Sequence, residues 1–336
     1  MNYILDKLLH HEHLSFEESR SFMLAIEEEK YTPEAISGML MIIQMRGAQL
    51  EEMRGFRSAL LSLANRIELD SEEAIDLCGT GGDGKNTFNI STTTSFVLAA
   101  MGKKVIKHGN YCVSSLCGSS NVLEELGVVF TSDQGELQRQ LDTQNICFLH
   151  APLFHPTMKK VAPIRKRLAV RTIFKNLGPL INPAHPNYQL TGTYSLELAR
   201  MYQHILRTER TNYRVLYGMD VFDEISLTDD TRVLGSQTDC ILNAASFGTN
   251  KLELRSIKGG DTIQEAAKTL SSILNGDGSD AQNSVVAANV AVALQLYHPS
   301  ASVNELYTEA LQFIQSGKAK YSPSPSTTMY LSLIHI

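Results

Sequence analysis

The sequence predicts an α/β protein in which a small all-helical domain precedes a larger domain built on a central, mostly parallel sheet. Residues 1–66 place apolar and charged residues at helical spacing and contain few glycines, which is typical of short packed helices. From residue 74 onward, short apolar runs alternate with glycine-rich loops and helical stretches, which indicates strand–loop–helix units. The change in pattern therefore predicts two domains of different class.

Composition and charge exclude several classes of protein. With 336 residues, 43% of them hydrophobic, the chain can bury a sizeable core. Its net charge of −6 argues against broad binding of nucleic acid or of anionic membranes. The five cysteines show no Cys-x-x-Cys spacing, which favours reduced thiols over disulfides or zinc. Since no export signal or membrane span is visible either, we expect a cytoplasmic protein with no nucleic-acid or membrane partner.

The helical domain carries specific start signals and more apolar surface than it needs. Ser15 and Glu18 match a capping box, and Thr32 followed by Pro33 matches a helix start, so we expect three or four short helices. One of them has an apolar face that is too broad for a solvated helix, made by Ile36, Met39, Leu40, Ile43 and Met45. We therefore expect this domain to join a second copy of the chain in a homodimer.

The remaining pattern gives the domain boundaries. Strands are predicted at residues 75–78, 105–107, 128–130 and 215–217, and helices at 92–101, 119–126, 262–274 and 284–297. The proline-rich segment 150–190 is interpreted as a crossover that returns to the helical domain and comes back. The helical domain would thus hold residues 1–66 and parts of 150–190, and the α/β domain residues 67–149 and 191–320.

An irregular tail is predicted at residues 321–336. It is rich in Ser, Pro and Thr and has no packing pattern. Residues 331–336 match the translation of a transposon end that is used in sequencing libraries. We therefore expect these six residues to be an assembly artefact.

Two glycine- and hydroxyl-rich loops carry the predicted chemistry. In the first, residues 79–84, glycines allow backbone N–H groups to surround a pyrophosphate, and Asn89, Ser91 and Thr92 then open a helix whose N-terminus favours an anion. In the second, Lys107 follows a strand and can contact phosphate, with further donors ahead of the next helix. Adjacent carboxylates at Asp223 and Glu224 suit Mg²⁺ that is shared with substrate phosphates. Taken alone, the glycine loop is more often a flexible turn, Lys107 and the Asp223–Glu224 pair are more often solvated charges, and Ser91 or Thr92 is compatible with an ordinary helix cap.

Taken together and in order, the motifs resemble the anthranilate phosphoribosyltransferase family. The resemblance runs to about Gln315 and rests on Gly-Thr-Gly-Gly-Asp, Asn-Ile-Ser-Thr, Lys-His-Gly-Asn, Phe-His-Pro-x-Met-Lys, Val-Ala-Pro-x-Arg-Lys, Arg-Thr-Ile-Phe, Leu-Gly-Pro-Leu-x-Asn-Pro-Ala and Asp-Glu-Ile-Ser-Leu-Thr. It implies a fold like that of nucleoside phosphorylases and phosphoribosyltransferases, and transfer of phosphoribosyl from 5-phosphoribosyl 1-pyrophosphate to the amine of anthranilate in tryptophan biosynthesis.

The resemblance also implies roles for individual residues. It implies two Mg²⁺ ions per monomer, held by Ser91, Asp223 and Glu224. It implies that anthranilate is held by Gly79, Asn110 and Arg165, with His108, His155 and Pro179 along its route. No acid or base is implied, and Lys107 and His108 would position the substrates. Phosphoribosyl pyrophosphate would be held by Gly79, Gly82, Asp83, Thr87, Asn89, Ile90, Ser91, Thr92, Lys107, His108, Gly109, Asn110, Ser114, Ser115 and Ser119.

Four positions depart from the wording that is common in the family. Tyr111 and Leu116 stand where cations are usual, Asn121 replaces an aspartate and Lys175 replaces an asparagine. The loss of two cations near the pyrophosphate predicts weaker binding of the phosphoribosyl donor. Two alternatives are a pyrimidine nucleoside phosphorylase, although such chains are normally longer, and a non-catalytic nucleic-acid-binding paralogue, for which basic patches and broken motifs would be expected.

Overall fold

The computed structural model describes residues 3–81, 85–111, 118–209, 212–236 and 238–321. Contacts between Cα atoms divide the chain into two compact units, one holding Met1–Glu68 with His150–His185 and the other Leu69–Leu149 with the residues from Pro186 onward. The first unit is helical and the second is α/β, so the predicted fold class is confirmed. None of the described helices is both long and apolar enough to cross a membrane.

The helical unit begins with four helices, α1 (Tyr3–Leu9), α2 (Phe16–Glu27), α3 (Pro33–Arg46) and α4 (Leu50–Leu63). The predicted capping box is present, because the Ser15 side chain accepts from the Glu18 N–H and the Glu18 carboxylate accepts from the Ser15 N–H. Thr32 caps α3 by accepting from the N–H of Ala35 at 3.3 Å. Local signals therefore determine where these helices start.

The apolar face of α3 corrects one step of the sequence argument. Ile36, Met39, Leu40 and Ile43 are buried, and α3 packs against α1 of the same unit, whereas Met45 is 75% exposed. The sequence argument attributes this face to a partner surface, but most of it is the unit's own core. A Leu40→Glu substitution would consequently disrupt the domain itself.

The first half of the α/β unit alternates strands and helices. It contains β1 (Ile75–Leu77), α5 (Ile90–Ala100), β2 (Val105–Gly109), α6 (Ser119–Glu125), α7 (Gln134–Gln144) and β3 (Ile146–His150). The chain then passes to the helical unit for α8 (Ala151–Phe154), α9 (Pro156–Leu168), α10 (Ile173–Leu177) and a 3₁₀ turn at Gly178–Leu180.

The second half completes the sheet and covers it. It contains β4 (Tyr188–Gly192), α11 (Leu196–Arg207), β5 (Asn212–Gly218), β6 (Thr231–Gly235), β7 (Asp239–Leu242), 3₁₀ turns at Ala244–Phe247 and Leu254–Ile257, α12 (Ile263–Leu274), α13 (Asp280–Tyr297) and α14 (Val303–Gln315). The described strands form one sheet in the order β3-β2-β1-β4-β5-β6-β7. Strand β1 is parallel to β2 and β4, and β4 is parallel to β5, whereas β5–β6 and β6–β7 are antiparallel.

The predicted strand at residues 128–130 is wrong. Gly127 has φ 84° and ends α6, its N–H donates to the carbonyl of Glu124, and the N–H of Val128 donates to the carbonyl of Leu123. This is a Schellman motif, in which an apolar residue after the glycine packs back on the helix. Val128 is therefore buried as part of a helix end, while Val129 is 48% exposed.

Candidate active site

A cleft in the α/β unit lies where strands β1, β4 and the segment after β5 come together. Because β1, β4 and β5 are parallel, their carboxyl ends share one edge of the sheet, which is the usual ligand-binding edge of such sheets. The lining includes four residues that the sequence predicted for substrate or metal, Gly79, Ser91, Asp223 and Glu224. The structure thus brings together residues that are more than 140 positions apart in the chain.

Asp223 is held against the first glycine loop. Its carboxylate accepts a hydrogen bond from the N–H of Gly81, and a Cβ on Gly79 would lie only 2.5 Å from Asp223 Oδ2. A Cβ on Gly192, at the end of β4, would lie 1.4 Å from the Asp223 carbonyl oxygen. Gly192 is therefore required because the Asp223 backbone passes directly over it, whereas at Gly79 the Asp223 carboxylate would have to shift.

Glu224 is held against the N-terminus of α5. Its Oε1 accepts from the N–H of Ser91 at 2.8 Å, in the first turn of the helix, where the helix dipole favours a negative charge. Lys107 Nζ donates to the carbonyl of Leu77 and lies 3.5 Å from Ser91 Oγ. One carboxylate, one hydroxyl, one ammonium group and one helix N–H donor are thus connected through Ser91.

The second predicted loop follows β2 on the neighbouring strand. The N–H of His108 donates to Asp76 Oδ1 at 3.1 Å, and both side chains are buried. Ser119 Oγ donates to the carbonyl of Asn110 at 3.4 Å, which ties the start of α6 to the end of β2. A Cβ on Gly109 would lie 3.1 Å from Ser119 Oγ, a contact that a small movement of this hydroxyl would relieve.

Other predicted phosphoribosyl pyrophosphate residues have different environments. Thr87 forms an isolated antiparallel bridge with Lys258, and Asn89 caps α5 without a capping hydrogen bond from its side chain. The side chain of Ile90 lies in the hydrophobic core, and the Thr92 side chain is also buried. Gly82, Asp83, Ser114 and Ser115 lie outside the described residues, as do Leu116 and residues 322–336.

Tyr111, at a position where the family commonly has a cation, contributes no positive charge. Its hydroxyl donates to Glu124 Oε1, and burial together with this hydrogen bond raises the pKa of Tyr111 to about 12. Its N–H donates to Asn110 Oδ1 at 2.7 Å. The tyrosine side chain therefore links residue 111 to α6.

The oxygen atoms of the cleft fit Mg²⁺. Asp223, Glu224 and Ser91 offer carboxylate and hydroxyl oxygens, which are the ligands that Mg²⁺ prefers, and it commonly completes its shell with water and substrate phosphate. The described part of the chain contains no cluster of three or more His, Cys, Asp or Glu residues that could hold a metal. One hydroxyl and two carboxylates leave places in the shell of Mg²⁺ for water and substrate phosphate.

The helical unit contains the remaining predicted residues. The Arg165 guanidinium, in the last turn of α9, lies 5.6 Å from the centre of the Phe174 ring, and burial lowers its pKa. Among the described residues it makes no hydrogen bond or ion pair. His155 is buried, and desolvation lowers its pKa to about 4 in spite of backbone hydrogen bonds with Ile181 and Leu60. Pro179 lies in the 3₁₀ turn and is buried.

Three residues of the site were not predicted from the sequence. Asp76 supports the second loop, Gly192 lies beneath Asp223, and Asn289 of α13 lines the cleft. The sequence held a weak signal for two of them, since Asp76 interrupts an apolar strand and Asn289 interrupts the apolar run 285–294. For Gly192, a glycine at the end of a strand gave no indication of which segment would cross it.

Two family models cover almost the whole described chain. The model described as "Glycosyl transferase family, a/b domain" matches residues 71–320, and that described as "Glycosyl transferase family, helical bundle domain" matches residues 2–64. These matches correspond to the two kinds of structure in the chain.

Individual proteins support a narrower assignment. The anthranilate phosphoribosyltransferase of Christiangramia forsetii is 48% identical over 95% of this chain and 96% of its own length. That of Flavobacterium psychrophilum is 49% identical over 91% of both chains. The crystal structure of the enzyme from Thermus thermophilus has a TM-score of 0.86 at 29% identity over 99% of both chains. The Saccharomyces cerevisiae enzyme in complex with PRPP and Mg has a TM-score of 0.85 at 27% identity, over 94% of this chain and 93% of that one. The chain therefore belongs to the glycosyl transferase family and, within it, to the anthranilate phosphoribosyltransferases.

Proposed function

We propose that this chain transfers the phosphoribosyl group of 5-phosphoribosyl 1-pyrophosphate to the amine of anthranilate, giving N-(5-phosphoribosyl)anthranilate and pyrophosphate in tryptophan biosynthesis. The observation that carries the proposal is the Asp223–Glu224 segment, whose carboxylates accept hydrogen bonds from both the glycine loop and the N-terminus of α5. It combines oxygen ligands for a cation with backbone donors for phosphate. The proposed location is the cytoplasm.

The proposal assigns the phosphate end to the α/β unit. Two Mg²⁺ ions would be held by Ser91, Asp223 and Glu224, and would neutralise charge on the departing pyrophosphate. Lys107 would contribute a fixed positive charge, and the N–H groups of Gly81 and Ser91 would contribute directed donors. As the bond between ribose C1 and the pyrophosphate oxygen breaks, these groups stabilise the negative charge on the leaving group.

Gly79, Asn110 and Arg165 would bind the acceptor, as the family resemblance implies. A guanidinium with no described protein partner can donate two parallel hydrogen bonds to a carboxylate such as that of anthranilate. The aromatic amine is already nucleophilic, so positioning it over C1 is the main requirement, and it loses a proton after the new bond forms. No residue is needed as a strong base.

A fluorescence assay tests the proposal. The intrinsic fluorescence of anthranilate should disappear when the protein, phosphoribosyl pyrophosphate and Mg²⁺ are combined, and pyrophosphate should be released in equal amount. No loss of anthranilate under these conditions would overturn the proposal. Phosphorolysis of a pyrimidine nucleoside in place of that reaction would support the nucleoside phosphorylase alternative.

A homodimer through the helical unit is also part of the proposal. Three large side chains of the helical unit, Tyr3, Leu9 and Met45, are 65%, 57% and 75% exposed, and exposed apolar groups favour a partner surface. Light scattering should give twice the mass of the 37.2 kDa chain. Met45→Glu should shift the protein towards monomer, whereas Leu254→Glu, a 51% exposed residue of the α/β unit, should not. A monomeric unchanged protein at micromolar concentration would contradict the dimer.

A further inference from the structure

We infer that Asn289 is a positioning residue that sets the geometry of the metal-binding carboxylates through the backbone of Ile225. This inference rests on the proposed function of the same cleft. Asn289 lies in the middle of α13, and its side chain lines the cleft together with Asp223 and Glu224. It contacts the residue that directly follows the two carboxylates.

The contact uses both ends of the amide. The N–H of Ile225 donates to Asn289 Oδ1 at 3.1 Å, and Asn289 Nδ2 donates to the Ile225 carbonyl at 2.9 Å and to the Val285 carbonyl at 2.9 Å. The side chain therefore clamps one residue of the loop by its donor and its acceptor, and anchors that clamp to its own helix. A pair of opposed hydrogen bonds fixes orientation as well as distance.

Asn289 is the one polar side chain in the apolar middle of α13. Apart from Asn289, all side chains from residue 285 to residue 294 of α13 are apolar and buried. Asn289 itself is 3% exposed. A buried amide in such a helix is unfavourable unless its hydrogen bonds are made. Here two of its three hydrogen bonds go to Ile225, so the loop accounts for the presence of asparagine.

The loop itself requires an external constraint. Val221 and Leu227 flank the carboxylates and have φ of 76° and 60°, a region that β-branched and bulky residues rarely occupy. Such conformations cost on the order of 1 kcal/mol or more each and persist only where neighbouring contacts enforce them. Asn289 supplies such a contact between the two strained positions, and it connects the carboxylates to a helix whose middle is fully buried.

The inference predicts that changing Asn289 weakens metal-dependent binding while the fold persists. In Asn289→Thr the hydroxyl can still donate to Val285, four residues earlier, but the clamp on Ile225 is lost. We expect the affinity for pyrophosphate in the presence of Mg²⁺, measured by calorimetry, to fall at least about tenfold, as is typical when a supporting contact of a metal ligand is removed. The Mg²⁺ concentration that gives half-maximal activity should rise similarly.

Asn283→Thr provides the matched control. Asn283 lies in the same helix, is also 3% exposed, and donates to the carbonyl of Gly278 at 3.0 Å, away from the loop. It should lower the melting temperature with less than about a twofold change in pyrophosphate affinity. If Asn289→Thr does not fold, Asn289→Ser serves as the test, since its hydroxyl can also donate to Val285.

The outcomes separate the inference from the proposed function. If the unchanged protein shows no Mg²⁺-dependent binding of pyrophosphate, the proposed function fails, and with it the basis of the inference. If the unchanged protein binds and the folded Asn289 variant binds equally well, only the inference is overturned. Equal weakening by the Asn283 variant would also overturn it, because the effect would then reflect the stability of α13.

Discussion

The two units hold their candidate binding groups in opposite ways. In the α/β unit, Asp223 and Glu224 accept hydrogen bonds from backbone N–H groups of separate segments. In the helical unit, the Arg165 guanidinium lies over an aromatic ring and makes no hydrogen bond or ion pair within the described parts of the chain. One set of charges is tied to the protein, and the other is held without a polar partner.

This difference matches the ligands that the two sets are proposed to bind. A pyrophosphate arrives with divalent cations, so carboxylates and N–H donors can satisfy each other until the cations and phosphates replace those contacts. A single carboxylate arrives alone and needs a cation whose donors are available, even though burying that cation has a cost, visible as the lowered pKa of Arg165. The substitutions below test the two arrangements separately.

Glu224→Gln tests the hydrogen-bonded carboxylates of the α/β unit and should have the largest effect. The amide can still accept from the Ser91 N–H, so the local structure persists, but it cannot supply the charge that a divalent cation requires. Turnover at saturating Mg²⁺ should fall on the order of a thousandfold. Glu253→Gln, an exposed acidic residue of the same unit, is the control and should leave turnover unchanged. Activity close to that of the unchanged protein would show that Glu224 is not a metal ligand.

Gly192→Ala tests whether the position of Asp223 depends on the backbone beneath it. The new Cβ would lie 1.4 Å from the Asp223 carbonyl oxygen, so the segment after β5 must move. A displacement of about 1 Å in a positioning group can cost about a hundredfold in turnover. Gly38→Ala, where a Cβ meets nothing within 4 Å, should be harmless. If both variants turn over normally, the loop has more freedom than these contacts indicate.

The same contrast explains what the sequence could and could not predict. Local patterns predicted the elements whose signals involve residues close together in the chain. Examples are the helix caps Ser15 and Thr32 and the apolar runs of β1 and α5. Val128 shows the limit, because a three-residue apolar run fits a strand and a helix end equally well. The antiparallel pairing of β5 with β6 was not predicted, because no strand was recognised at β6 or β7 from the local pattern.

The site was predictable only where a motif was available. The residues of the glycine loop and Asp223–Glu224 were recognised from motifs, and the structure brings Gly79, Ser91, Asp223 and Glu224 into one cleft. Gly192 and Asn289 were not recognised, because each acts on a segment that is 31 or 64 residues away in the chain. Asn289 interrupts an apolar run, which marks it as unusual, but the segment that each residue contacts is set by tertiary structure.

Arg165→Ala tests the guanidinium of the helical unit, which lies over an aromatic ring and has no polar partner among the described residues. A ligand carboxylate that loses its guanidinium partner typically loses a few kcal/mol of binding free energy, which corresponds to about a hundredfold. The KM for anthranilate should therefore rise far more than that for phosphoribosyl pyrophosphate. Arg167→Ala, an exposed cation in the last turn of the same helix, should change neither constant appreciably. Equal increases for both substrates would mean that Arg165 supports the helical unit and does not hold the acceptor.

The pH dependence of stability gives a smaller test of the helical unit through its buried histidine. Burial lowers the pKa of His155 from 6.5 to about 4, so the folded state favours the neutral ring. A histidine whose pKa is depressed on folding contributes full stability above about 6.5, and that contribution is lost as the pH falls towards 4, because the unfolded chain takes up the proton first.

The free energy of unfolding in urea should therefore fall by about 1 kcal/mol more between about pH 7 and pH 5.5 in the unchanged protein than in His155→Gln. The variant is expected to be less stable at both pH values, because it replaces a well-packed buried ring, but this offset cancels in the comparison between them. His298→Gln removes an exposed histidine and should keep the pH dependence of the unchanged protein. If His155→Gln also keeps this pH dependence, burial does not hold the His155 ring in its neutral form. Water or a counter-charge in the helical unit would then reach that ring.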